Sequence, residues 1–266
     1  MSKVTKYKPG AFCWVDLATS DETGASAFYT ALFGWTTSPI PMGPDFNYVM
    51  CSLNGEHVGA LFAPPAEHTG GLPPHWKSYV SVVDADANAA RAAELGGTVA
   101  YAPMDVPGSG RMAILIDPTG AMIATWQSSG HSGAGVVNEP GSLVWNELLT
   151  SDTKVAGDFY TALFDWTSEE IDMGSMKYTI LSNDGRPNGG MMQITEQMGP
   201  IPPNWMVYFA VEDTDDSAAL VTELGGKIFM PPTDIPEVGR FAVVADPQGA
   251  VFGIIKMNRE PTPYPE

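Results

Sequence analysis

The sequence is short of positive charge. Thirteen Lys and Arg stand against 31 Asp and Glu, a net charge of −18. A field of that sign repels phosphate backbones, which excludes nucleic acid as an expected partner. Cysteine and histidine are also scarce. Cys13 and Cys51 make neither a zinc pattern nor a disulfide framework. Both lie in apolar strand-like runs, where a buried free thiol is expected. The four histidines, His57, His68, His75 and His131, show no ligand spacing. No run of 18 apolar residues is present, so no membrane-spanning helix is expected. The opening Met-Ser-Lys-Val-Thr-Lys has no apolar core behind it, so no secretory signal is expected and a cytoplasmic location follows. No Ser-His-Asp order, Gly-rich phosphate loop or CxxC occurs, which leaves nucleophilic, nucleotide and thiol-redox chemistry without support.

What the chain does contain is a repeat. Phe28-Tyr-Thr-Ala-Leu-Phe-Gly-Trp35-Thr36 returns as Phe159-Tyr-Thr-Ala-Leu-Phe-Asp-Trp166-Thr167, eight of nine residues at an offset of 131. Such self-similarity governs the fold reading. At 266 residues the chain accommodates two units large enough to bury their own cores. The halves differ in charge: −5 over residues 1–131 and −13 over 132–266.

Within the first unit, 10–128, Ala11–Leu17 reads as a strand that places Phe12, Trp14 and Asp16 on one face. Thr19-Ser-Asp-Glu-Thr reads as a helix start, and Ala25, Phe28, Tyr29, Leu32 and Phe33 give helical periodicity up to Gly34. Three short strands follow, one hairpin marked by Asn54-Gly55. A Pro/Gly-rich stretch at 64–74 leads to a second string: a strand at 78–83, a helix opened by Asp84 and closed by Gly96-Gly97, and three strands with Asp117-Pro-Thr-Gly120 as a turn. The unit is therefore βαβββ twice. Residues 129–140 read as a linker, and 141–257 repeat the whole pattern: Trp145-Asn-Glu147 for Trp14-Val-Asp16, Pro203-Asn-Trp205 for Pro74-His-Trp76, Asp246-Pro-Gln-Gly-Ala250 for Asp117-Pro-Thr-Gly-Ala121. The basic arm 1–9 and the polar tail 257–266 flank the two units, the tail as a surface strap.

On these motifs each half resembles a vicinal oxygen chelate domain, the superfamily of glyoxalases, extradiol dioxygenases and bleomycin-resistance proteins. The tandem layout and the Trp-x-Asp/Glu-Leu strand are similar to a glyoxalase-like, "hydroxylase"-labelled branch met in antibiotic biosynthesis. The resemblance implies an α+β fold in which paired βαβββ modules curl an eight-stranded sheet around a ligand cup, with helices on the convex face. It also implies a divalent-metal site in metal-dependent members. Its eighth-strand carboxylate position falls on Ala124 and Gly253, and its first-strand position on or beside Trp14 and Trp145. Its fourth-strand position falls near Gly59–Leu61 and Gly190–Met192, with Gln193 the nearest candidate, and its fifth-strand position near Lys77–Ser78 and Met206–Val207. A divalent metal needs convergent N or O donors, so the expectation is no metal and no other cofactor.

The candidate site residues are those expected to face the cups, where strand alternation sets Phe12, Trp14 and Asp16 in the first half and Leu143, Trp145 and Glu147 in the second. Asp16 and Glu147, beside Trp14 and Trp145, are either desolvated acid/base groups or acceptors that lock the sheet. Trp76 and Trp205 are either rim aromatics that stack on a planar ligand or core-edge residues. His75, which Asn204 replaces in the second copy, is either a proton-transfer group or a surface histidine. Arg111 and Arg240 either fix a ligand oxyanion or pair with Asp105 and Asp234. Trp126, matched by Ile255, and Met192 are expected to wall the cups. The functional expectation is a small-molecule protein acting on an aromatic or carbonyl-bearing metabolite, by a hydroxylase-like or isomerase step. The alternative is a binding protein that sequesters a drug or toxic metabolite. As an assembly, either a monomer with internal pseudo-twofold pairing or a homodimer is expected.

Overall fold

The structure, a computed structural model, describes residues 3–43, 46–65, 71–174 and 177–258. The tail beyond 258 and His68 lie outside the described residues. Among those described, the first half runs β1 (Phe12–Ala18), α1 (Glu22–Phe33), β2 (Thr36–Gly43), β3 (Phe46–Leu53), β4 (Glu56–Phe62), β5 (His75–Ser81), α2 (Ala85–Glu94), β6 (Thr98–Val106), β7 (Gly110–Ile116) and β8 (Met122–Ser128). The second repeats it: β9 (Leu143–Thr150), α3 (Thr153–Phe164), β10 (Thr167–Asp172), β11 (Lys177–Asn183), β12 (Arg186–Gln193), β13 (Asn204–Ala210), α4 (Thr214–Glu223), β14 (Lys227–Ile235), β15 (Gly239–Ala245) and β16 (Val251–Met257). Each half forms one eight-stranded sheet, ordered β2-β3-β4-β1-β5-β8-β7-β6 and β10-β11-β12-β9-β13-β16-β15-β14. This is the tandem α+β architecture, two eight-stranded sheets, that the resemblance implies.

Local chemistry explains the elements. The four α-helices among the described residues open on an aspartate, Asp21, Asp84, Asp152 or Asp213, whose carboxylate accepts backbone N–H groups of the first turn. The β3–β4 and β11–β12 hairpins turn through Asn54-Gly55 and Asp184-Gly185, both pairs at positive φ. That geometry matches the twist of the flanking strands.

The helix-covered faces of the two sheets pack against each other, so the repeated helix lies between the halves. Phe33 and Trp35 pack on Phe209, at ring centroid distances of 5.0 and 5.6 Å, and Tyr29 on Phe252 at 5.6 Å. The Tyr29 hydroxyl donates to Asp246 Oδ2 at 3.0 Å, and Trp35 Nε1 donates to Gly141 O at 2.6 Å. The relation is reciprocal. The Tyr160 hydroxyl faces Asp117, and Trp166 Nε1 donates to Gly10 O at 2.7 Å. Asp117 and Asp246 belong to the repeated turns, where each carboxylate also accepts turn N–H groups. The two repeated motifs thus form one bolt, the tyrosine of one half set on the turn aspartate of the other. Full burial of each large side chain contributes about 1.5–3 kcal/mol, so this seam is a major part of the core.

Candidate functional site

The concave faces point away from the seam. On β1 the register shifts between Phe12 and Trp14, and a matching shift separates Leu143 and Trp145 on β9. The irregularity turns Phe12 onto Trp166 and Trp205, at 5.5 and 5.2 Å, and Leu143 into the core between the halves. This corrects the expected face: strict alternation placed Phe12 and Leu143 in the cups, and the bulge removes them. Trp14, Asp16, Trp145 and Glu147 remain on the concave side.

In the second cup, Glu147 is 9% exposed and sits between two tyrosines. Tyr178 donates to its Oε2 and Tyr208 to its Oε1, both at 2.9 Å, and Trp145 Nε1 donates to the Tyr178 hydroxyl at 2.9 Å. Burial pushes the Glu147 carboxyl above the usual range, and the tyrosine hydrogen bonds oppose that. Both phenols are held well above the ordinary tyrosine value, by burial first and then by the Glu147 charge. They therefore stay donors. The surrounding wall is apolar: Val144, Leu149, Met192, Met206, Phe241 and Ile255.

The first cup repeats this arrangement with one addition. Tyr79 and Tyr48 donate to Asp16 Oδ2, at 2.6 and 3.2 Å, and Trp14 Nε1 donates to the Tyr48 hydroxyl at 2.9 Å. Lys77 then donates to Asp16 Oδ1 at 3.3 Å, both side chains being buried. Its ammonium lies 5.5 Å from the centre of the Phe62 ring and 5.6 Å from that of Tyr79. Met206 stands at the matching place in the second cup.

Trp126 shares the first cup. Its ring is 6.5 Å from Tyr79, and its Nε1 donates to His131 O at 2.7 Å. The linker is thereby drawn against the cup wall. The His131 ring meets Trp14 edge-on at 4.5 Å, and its Nε2 is buried with no hydrogen-bond partner among the described residues. Burial, helped by His57, pulls the His131 pKa down to about 4.

Other expected site residues lie elsewhere. Trp76 and Trp205 do not form rims. Each is buried at the seam with Nε1 bonded to a repeated-helix tyrosine, Trp76 to Tyr29 at 3.0 Å and Trp205 to Tyr160 at 2.8 Å. The helix packing that fills the seam leaves them no path to a cup. Arg111 shares the helix-covered face with Ala113 and Leu115, while Met112 and Ile114 take the opposite face. It holds Asp86 with Nε and Nη2, at 2.6 and 2.9 Å, and Asp105 with Nη1 at 2.8 Å. Arg240 does the same with Asp215 and Asp234. The ion-pair reading is the one the geometry carries. His75 is half-buried on the face of Lys77 and Tyr79, and its Nδ1 meets Pro73 O at 2.9 Å. Asn204 makes the same contact with Pro202 O at 2.8 Å. Burial lowers the His75 pKa. The thiols of Cys13 and Cys51 are raised by burial, that of Cys51 to about 12, and are inert at neutral pH.

Sequence reading missed Tyr48, Tyr79, Tyr178, Tyr208 and Lys77. The signal was present: Tyr48 and Tyr178, and Tyr79 and Tyr208, recur in register with the repeat, and Lys77 breaks it.

The residues at the metal-ligand positions do not fit a divalent cation. Ala124 has no donor. A Cβ built on Gly253 would collide with the ring of Tyr208, so that place is filled by an aromatic face. Asp16 and Glu147 already accept from tyrosines. Among the described residues no three His, Cys, Asp or Glu side chains converge.

A tandem pair of curled eight-stranded sheets, each with a tryptophan, two tyrosines and a carboxylate on its concave face, defines a two-cup protein of the vicinal oxygen chelate class. The family model for the Glyoxalase/Bleomycin resistance protein/Dioxygenase superfamily matches residues 12–125 and again 142–254. The chain belongs to that family. It is 42% identical over 259 residues to the putative glyoxylase CFP32 of Mycobacterium tuberculosis (strain CDC 1551 / Oshkosh), covering 96% of this chain and 98% of that one. It is 34% identical over 266 residues to the anthracycline biosynthesis protein DnrV of Streptomyces peucetius, covering 96% of each. The Mn(II)-bound glyoxalase from Novosphingobium aromaticivorans shares the fold with a TM-score of 0.65 at 17% identity, over 95% of this chain and 84% of that one. So does 2,2',3-trihydroxybiphenyl 1,2-dioxygenase from Sphingomonas wittichii strain RW1, with a TM-score of 0.66 at 12% identity over 94% and 91%. No helix among the described residues is long and apolar enough to cross a membrane.

Proposed function

We propose that this glyoxalase-like tandem protein acts on a small, planar, aromatic or carbonyl-bearing metabolite held in its cups, in a step of secondary metabolism, without a divalent metal at the usual place. The observation that carries the reading is the pair of tyrosine hydroxyls bonded to one buried carboxylate beside a tryptophan, built twice on concave faces. The similarity to an anthracycline biosynthesis protein supports a polycyclic aromatic ligand. A tryptophan and two tyrosines offer flat apolar contact to such rings and hydroxyl donors to their oxygens.

The chemistry these residues support is proton transfer. A carboxyl raised by burial, as Glu147 is, suits removal of a proton next to a carbonyl and its return elsewhere, an isomerase step. A hydroxylase-like step would use the same deprotonation: the carbanion adds molecular oxygen, and the resulting hydroperoxide loses water to leave a carbonyl, so that one methylene and one O2 give one carbonyl and one water.

The test is exchange of the enolisable hydrogens of anthrone in deuterated water, followed by mass spectrometry. Exchange above the uncatalysed rate, lost in Asp16→Asn or Glu147→Gln, supports catalysis. A second reading, sequestration, is favoured by the fact that both carboxylate oxygens of Glu147 are already bonded inside the protein. Stoichiometric binding with no exchange and no product supports that reading, and absence of binding opposes both.

A further inference from the structure

The two cups are built on one plan, and they differ in the row of side chains that β5 and β13 present to them. On β5 the row is His75, Lys77 and Tyr79; on β13 it is Asn204, Met206 and Tyr208. Register partners confirm the match. Lys77 sits opposite Asp16, and Met206 opposite Glu147. The strand pairs β4/β1 and β12/β9 likewise set Phe62 against Met192, and β8 and β16 set Trp126 against Ile255. The first cup holds a buried cation and the second has a thioether in its place.

Lys77 is 8% exposed. An ammonium carries three N–H donors, and among the described residues Asp16 is its sole hydrogen-bond acceptor, at 3.3 Å. Asp16 is better supplied, since Tyr79 and Tyr48 both donate to it. A buried ammonium is costly to leave under-bonded. The rings of Phe62 and Tyr79 stabilise its charge but accept no conventional hydrogen bond from it. Two donors on one fixed cation, beside a wall of Tyr79, Trp14 and Trp126, match a planar ring bearing an ionised oxygen.

We propose that the first cup is selective for a planar ligand carrying an acidic oxygen, a phenolate or enolate, that Lys77 binds, and that the second cup takes the uncharged counterpart. The assignment rests on the small-molecule reading above and deepens it. Lys77 is the specificity-determining residue, and Met206 is the substitution that removes that selectivity from the second cup. A charge-assisted hydrogen bond to a desolvated oxyanion accounts for the preference.

The experiment is isothermal titration with two near-isosteric probes. The enol of 2-hydroxy-1,4-naphthoquinone is ionised at neutral pH, and 2-methoxy-1,4-naphthoquinone is uncharged. The wild-type protein is expected to bind the hydroxy compound more tightly at one site. Lys77→Met should weaken that site on the order of tenfold or more and leave the methoxy compound's affinity unchanged. Met206→Lys should strengthen the second site for the hydroxy compound. Because Lys77→Met strands Asp16, the double variant Asp16→Asn/Lys77→Met, which leaves no buried charge, is titrated beside it with a thermal melt, and the same loss is expected. Unchanged affinity of the hydroxy compound in the folded variants, or equal loss for both compounds, overturns the assignment and leaves the small-molecule reading standing. A wild-type protein that binds neither compound counts against that reading, and the assignment falls with it.

Discussion

Tyr208 and Gly253 are register partners on β13 and β16, and the tyrosine ring packs so closely on the glycine that any side chain there would overlap it. In the resemblance drawn from sequence, Gly253 is the place of a metal-binding carboxylate. Here the residue on the neighbouring strand has filled the space and turned its hydroxyl to Glu147. The exchange of a ligand for a tyrosine face links the missing donor to the hydrogen-bond network that stands in the cup.

Gly253→Ala should therefore destabilise the protein by about 1–3 kcal/mol, the usual cost of overpacking. Urea midpoints measure it. Adding Tyr208→Ala should relieve the overlap, so that the double variant falls short of the sum of the single losses. A Gly253→Ala protein with the wild-type midpoint would show that the ring does not press on that strand.

The seam between halves gives a second expectation. Tyr29 accepts from Trp76 Nε1 and donates to Asp246, all three being buried. Tyr29→Phe leaves two buried groups without their partner and should cost about 2–4 kcal/mol at neutral pH, at about 1–2 kcal/mol for each orphan. Chemical denaturation followed by tryptophan fluorescence reads the loss.

Glu147 makes the stability depend on pH in a defined direction. Its pKa is raised in the folded state, so the native protein holds the proton more tightly than the unfolded chain. Its contribution to stability is whole below the ordinary carboxyl value and is lost as pH rises through the folded value. Glu147→Gln should remove that loss, so the variant gains stability relative to wild type as the pH rises from the ordinary carboxyl value of 4.5 toward neutrality. Melting temperatures across that range test it, and a relative loss at the upper end would contradict it.

His131 acts in the opposite sense. Its pKa falls from 6.5 to about 4, so the folded state resists a proton that the unfolded chain accepts. The stability held above pH 6.5 is lost as the pH falls toward 4. His131→Phe should flatten that stretch of the profile, by up to about 3 kcal/mol, while keeping ring contact with Trp14. The denaturant midpoint at pH 7.5 and pH 5, values chosen to bracket roughly the histidine range, gives the comparison.

The sequence carried the fold because its repeat is long and its elements are periodic: the helix from Ala25 to Phe33, the Asp-capped starts and the Asn54-Gly55 turn are all local chemistry. It also carried the carboxylates, since Asp16 and Glu147 each lie two residues from a tryptophan on one face of a strand. Phe12 and Leu143 were misplaced because a bulge depends on the neighbouring strand. Trp76 and Trp205 were misplaced because packing between the halves leaves no mark in either half alone. The tyrosines escaped notice because strand register, which brings Tyr48 and Tyr79 to Asp16, is a property of the assembled sheet. Lys77 was passed over because its mismatch with Met206 takes on meaning only with the cup around it.

The most direct test of the central claim is a crystal structure of the protein with 2-hydroxy-1,4-naphthoquinone. Ligand in the first cup, ring against Trp14 or Trp126 and an oxygen within hydrogen-bond distance of Lys77 Nζ, is the predicted result. Ligand bound instead in the surface cleft lined by Lys6, Lys8 and Asn188, with both cups empty, would contradict it.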